Sequence, residues 1–205
     1  MTSPVAAGTG PQEPRMTVSV NTGLPMITLL NAAPDTGNQG VSALCHSVVA
    51  GLVARGAKNM TIADHGRGLR REDWGYTSVN LVGLTNSKRI WRGDNLRTAH
   101  AMARVGGLIS APARAVARSR AVLDISGGDS FTDLYGAKRF QAMTLTKRMA
   151  LDAGVPLILL PQKLGPFQHR DNEAAKTSYQ TLYQIPAQVW HCRQTSPSPS
   201  YYASV

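Results

Sequence analysis

The residues best suited to chemistry stand in three short loops. The stretch Ser126-Gly127-Gly128-Asp129-Ser130-Phe131-Thr132-Asp133-Leu134-Tyr135-Gly136 sets carboxylates, hydroxyls and a phenol beside paired glycines. Asp129 and Asp133 are four residues apart, a spacing that on a helical turn would point both the same way. Such a pair could accept hydrogen bonds from sugar hydroxyls, or one carboxylate could serve as a general base. Gly127-Gly128 after a buried strand has little purpose in a plain turn and lets a ligand approach the backbone. A second loop, Ala33-Pro34-Asp35-Thr36-Gly37-Asn38-Gln39-Gly40, leads into an amphipathic segment. A helix starting there offers N–H groups and a positive dipole end to an anion. The glycines are not spaced as G-x-G-x-x-G, so this is no dinucleotide fingerprint, and Asp35 or Asn38 acting as a helix cap accounts for the loop equally well. In the third loop, Gln162-Lys163-Leu164-Gly165-Pro166-Phe167, Gln162 and Lys163 fall at the edge of a crevice and Gly165-Pro166 turns the chain. His65 stands alone and reads as a loop residue rather than an acid.

Short apolar runs alternating with helical patterns must position these loops. Strands are expected at Met26 to Asn31, Asn59 to Ala63, Ser78 to Leu84, Ala121 to Ser126 and Pro156 to Pro161. The first helix is expected to present Val41, Leu44, Cys45, Val48, Val49 and Leu52 on one face and to end at Arg55-Gly56. Cys45 is thereby a packing residue, not a nucleophile. Further helices are expected over Leu96 to Val105, Pro112 to Ser119, Lys138 to Ala153 and Asn172 to Tyr183, with Phe140, Met143 and Lys147 on one side of their element. This is the α/β pattern of a Rossmann-like parallel sheet with helices on both faces. In such a sheet ligands sit beyond the carboxyl ends of the strands, where the three loops fall.

Composition narrows the class. The chain has 205 residues, of which 42% are hydrophobic, which excludes a wholly disordered chain. No apolar run approaches the ~18 residues of a membrane-spanning helix. Cys45 and Cys192 are too far apart to suggest a disulfide framework or a zinc module, and a cytoplasmic location fits them. The net charge of +10 is concentrated between Lys88 and Arg120, where eight basic residues face one acid, Asp94. A solvated arginine-rich surface is the favoured reading of that run, ahead of a funnel for an anionic ligand. Nucleic acid is a minor alternative, because no aromatic residue interleaves with Arg97 to Arg120. Residues 1–25 read as a disordered leader, 26–190 as one lobe and 191–205 as an unstructured tail.

Three stretches, in order, resemble the polysaccharide pyruvyl transferase family: DTGNQG (Asp35 to Gly40), GGDSFTDLYG (Gly127 to Gly136), which is the distinctive one, and LPQKLGPF (Leu160 to Phe167). The resemblance spans roughly Met26 to Trp190. It implies the N-terminal half of a glycosyltransferase-B-like fold, in which two Rossmann-type lobes face each other across a cleft. The implied activity is transfer of a pyruvyl group from phosphoenolpyruvate to two hydroxyls of a sugar in a cell-surface polysaccharide, with phosphoenolpyruvate as donor substrate, no other cofactor and no metal. Asp129 and Asp133 are then the catalytic candidates. Asp35, Gly37, Asn38, Gly40, Gly127, Gly128, Ser130 and Gln162 are the candidates for binding substrate.

The chain departs from the family at Lys163, where a small hydroxyl residue is commoner, and in carrying no second lobe. The Arg and His residues that hold phosphoenolpyruvate belong mainly to that lobe and map onto nothing here. The expectation is a truncated or frame-shifted product without pyruvyl transfer of its own, partnered by the missing lobe or by a second copy. Two other readings remain open. One is a glycosyltransferase-B-type half using a nucleotide sugar. The other is a non-catalytic anion- or nucleic-acid-binding module built on the basic run.

Overall fold

A computed structural model of the chain describes residues 26–126 and 131–161. The expected leader, tail and helix at Asn172 to Tyr183 lie outside these residues, as do Gly127, Gly128, Asp129, Ser130 and Gln162. Within them one sheet is formed by β1 (Met26–Leu30), β2 (Met60–Asp64), β3 (Leu69–Asp73), β4 (Ser78–Gly83), β5 (Ser119–Asp124) and β6 (Leu157–Leu159). The helices are α1 (Gln39–Val53), α2 (Leu96–Ala103), α3 (Ala111–Ala117) and α4 (Ala137–Asp152). The spatial order is β3-β4-β2-β1-β5-β6, and every neighbouring pair is parallel except β3 with β4.

Period-two alternation gives each strand two apolar faces. On one face Leu29, Ile62, Leu81 and Leu123 pack with Cys45 and Val49 of α1. On the other, Leu30, Ala63, Val82 and Val122 pack with Ala99 of α2, Val116 of α3 and Met149 of α4. The chain is therefore an α/β Rossmann-like fold, with helices on both faces of a mostly parallel sheet. Burial pushes the Cys45 thiol pKa up to about 12, which suits a packing residue. Leu44, expected on the packed face, lies at its margin and is exposed.

Strand β3 was not legible as a strand. Its sequence LRRED carries no apolar alternation, and it forms through antiparallel pairing with β4, from Leu69 opposite Val82 to Asp73 opposite Ser78. Charged residues suit this position, since an edge strand leaves one row of backbone groups unpaired and charge discourages further pairing.

Candidate functional site

The parallel strands run outward from β1 through β2 to β4 and then resume on the other side of β1 with β5 and β6. The order reverses between β1 and β5, and crevices form where connections leave such a point in opposite directions. A cleft of about 500 Å³ occupies this carboxyl end. Asn31, Thr146, Asn38, Asp64, His65 and the first turn of α4 at Lys138 and Arg139 contribute to its lining.

Both strand ends at the reversal adopt left-handed backbone without glycine, Asn31 at φ 54° and Ser126 at φ 47°. Asn tolerates this region because its short polar side chain bonds locally, whereas Ser does so less readily. Their side chains supply the compensation. Asn31 Nδ2 donates to Asp124 Oδ2 at 2.6 Å and to Thr146 Oγ1 at 2.8 Å. Ser126 Oγ donates to Asp124 Oδ1 at 2.6 Å. Lys147 Nζ, reaching in from α4, donates to Asp124 Oδ1 at 3.0 Å and to Ser126 Oγ at 2.5 Å. It also lies 4.1 Å from the centre of the Phe131 ring. Burial pulls the Lys147 pKa below the usual lysine range, and the Asp124 carboxylate opposes that pull. The network fixes where the chain leaves β5 at Ser126.

The first loop divides its labour. Asn38 caps α1, its Oδ1 accepting from Gly40 N at 2.9 Å and Val41 N at 3.4 Å. Gly37 has φ 71°, and a Cβ on Gly40 would fall 3.2 Å from the Asn38 cap oxygen. Asp35 ties this loop to the one after β2: its oxygens accept from His65 N at 3.1 and 3.2 Å, and Oδ1 lies 3.2 Å from His65 Nδ1. Of the two roles the sequence left open for Asn38, capping is made; Asn38 also lines the cleft.

Asp133 stands differently from its expected setting. Residues 131–136 form a turn that precedes α4 rather than a helical turn, and Gly136 N donates to Asp133 O at 2.9 Å within it. The Asp133 side chain is 2% exposed and does not line the cleft.

The sequence reading missed Asp64, which ends β2 and lines the cleft. It pairs with Arg70 and accepts from Gly66 N at 3.1 Å. Burial raises its pKa above the ordinary aspartate range, with Arg70 opposing. Its position at a strand's carboxyl end was the available signal. Lys138 and Arg139 were also missed as site residues, because only the fold turns the start of α4 toward the cleft. That helix begins at Gly136 with no side-chain cap, unlike α1, α2 and α3, which are capped by Asn38, Asn95 and Ser110. Comparison of the chain with protein-family models, curated proteins and solved structures gives no match.

Proposed function

We propose that this chain is the N-terminal lobe of a polysaccharide pyruvyl transferase-like enzyme acting in the cytoplasm, half of a glycosyltransferase-B-like arrangement. The observation that carries the reading is where the distinctive stretch and the first glycine loop emerge. DTGNQG follows β1, and GGDSFTDLYG follows Ser126 at the end of β5, on opposite sides of the strand-order reversal.

Building a ketal from phosphoenolpyruvate requires a proton on the methylene carbon, support for a cation-like centre, removal of two sugar protons and departure of phosphate. Lys138 and Arg139, at the uncapped start of α4, suit the donor's phosphate and carboxylate. Asp64, held by Arg70 in the cleft lining, with its pKa raised by burial, is a second carboxylate candidate beside the donor. Asp129 remains the candidate base for the acceptor, and Asp133 lies in the turn that precedes α4. The same strand order also serves nucleotide binders, which keeps a nucleotide sugar as the second reading.

Calorimetric titration of the chain with phosphoenolpyruvate, a nucleoside diphosphate and inorganic phosphate separates the readings. Phosphoenolpyruvate is expected to bind, and Lys138→Ala with Arg139→Ala to weaken it by about tenfold or more at unchanged melting temperature, as lost charge-assisted bonds should. Tighter binding of the nucleoside diphosphate favours the nucleotide-sugar reading. Failure of all three to bind overturns the assignment of an anion site to Lys138 and Arg139, on which both readings of this cleft rest.

A further inference from the structure

The basic run identified in the sequence folds around an apolar patch. Trp91 is 77% exposed, Leu108 73%, Ile109 70% and Ile90 58%. Single exposed apolar side chains are ordinary, but these four occupy two loops that are fastened together. Ser110 Oγ donates to Gly93 O at 2.5 Å, and a Cβ on Gly93 would lie 2.4 Å from Ile109 O. Thr98 Oγ1 donates to Ile90 O, holding the first loop against α2. The second loop is braced by Arg114 Nη2, which donates to Leu108 O at 2.7 Å. The apolar side chains are therefore displayed on a supported surface.

Cations neighbour the patch in sequence. Lys88 and Arg89, both exposed, precede Ile90-Trp91. Arg92 is ion-paired with Asp94 and Arg104 with Asp152, while Arg114 is engaged on Leu108 O, so Lys88 and Arg89 are the cations offered to lipid. We propose that these two loops seat the protein on the surface of an anionic lipid bilayer, with Trp91, Ile90, Leu108 and Ile109 entering the headgroup region and Lys88 and Arg89 meeting lipid phosphates.

The chemistry favours this occupant over the others. Trp with aliphatic neighbours suits the boundary between headgroups and acyl chains, and flanking cations add attraction to anionic lipid. A second copy docking through the same patch would set these cations against their own counterparts. Nucleic acid would use the cations but has little use for Ile90, Leu108 and Ile109. Among the described residues no helix is long and apolar enough to cross a membrane, so the contact is one of lying on the surface. The proposal does not depend on which donor the cleft takes.

Co-sedimentation of the full chain with vesicles tests it. Binding is expected to vesicles of phosphatidylcholine mixed with phosphatidylglycerol, falling with added salt, and not to phosphatidylcholine alone. Trp91→Ser with Leu108→Ser should weaken partitioning by about tenfold or more. Lys88→Ser with Arg89→Ser should weaken it comparably and reduce its salt dependence; this pair alters only exposed side chains and stays interpretable if the apolar pair fails to fold. No binding to the mixed vesicles overturns the proposal, as does binding that neither pair of substitutions alters. So does a result in which the substitutions change only the oligomeric state measured by light scattering.

Discussion

Lys147 Nζ lies 3.0 Å from Asp124 Oδ1, and neither side chain is exposed to solvent at all. Two opposite charges without water are tolerable only when their remaining hydrogen-bonding capacity is met. Ser126 and Asn31 meet it here, and those are the residues whose left-handed backbone ends the two strands at the reversal. Ion pair and strand ends thus form one unit, in which the charges hold a backbone geometry that Ser126 would not adopt unaided.

Lys147→Met should therefore destabilise the fold by about 3–5 kcal/mol, because it strands the Asp124 carboxylate in the interior. Adding Asp124→Asn should recover part of that loss, leaving the double variant more stable than the two single losses predict. Urea unfolding of the three variants measures this. Additive losses would show that the pair is not a unit.

Asn38→Ala should cost about 1 kcal/mol through the lost cap on α1, while Asn38→Ser should retain most of the stability. The serine variant then isolates any role in binding. If it and the unaltered chain respond alike in the phosphoenolpyruvate titration, Asn38 is a cap alone. If it melts normally and binds weakly, the amide also contacts ligand.

Much of the fold could be read from apolar periodicity. All five expected strands are present within a few residues, because each is a short, mostly apolar run closed by Asn, Asp, Gly or Pro. β5 starts at Ser119 rather than Ala121, since α3 ends early at Ala117 and Arg118 closes it. β3 escaped notice because backbone pairing, not burial, makes it a strand. The site was less legible. Lys147 could be placed on the face of α4 with Phe140, but its partner Asp124 is twenty-three positions away, on a strand that only the tertiary fold brings beneath that helix. Asp64 and Lys138 likewise become neighbours of one cleft only once β2 and α4 converge at the same end of the sheet.

Gly83 closes β4 where the chain passes close to the turn after β2. A Cβ there would fall 2.3 Å from Gly66 O, a contact with backbone that no side-chain rotation relieves. Gly83→Ala should lower stability by about 1–3 kcal/mol as overpacking does, and it should do so mainly by disturbing the loop that holds His65. A melting temperature equal to that of the unaltered chain would mean the hairpin of β3 and β4 shifts freely to accept the methyl group.

Asp94 supplies a pH signature for the loop beneath the apolar patch. Its hydrogen bond and charge pairing with Arg92 hold its carboxyl below the usual aspartate range. The folded protein therefore takes up this proton less readily than the unfolded chain does. The contribution of the pair is complete above the unfolded value near pH 4 and fades as pH falls through the lower folded-state value. Asp94→Asn should accordingly cost about 1 kcal/mol or less at pH 7 and pH 5, and the gap from the unaltered chain should narrow at pH 3. Urea midpoints at the three pH values read it directly. A gap that stays constant down to pH 3 would show that Asp94 acts through its shape and backbone contacts rather than through its charge, and that Arg92 is available to a partner at every pH.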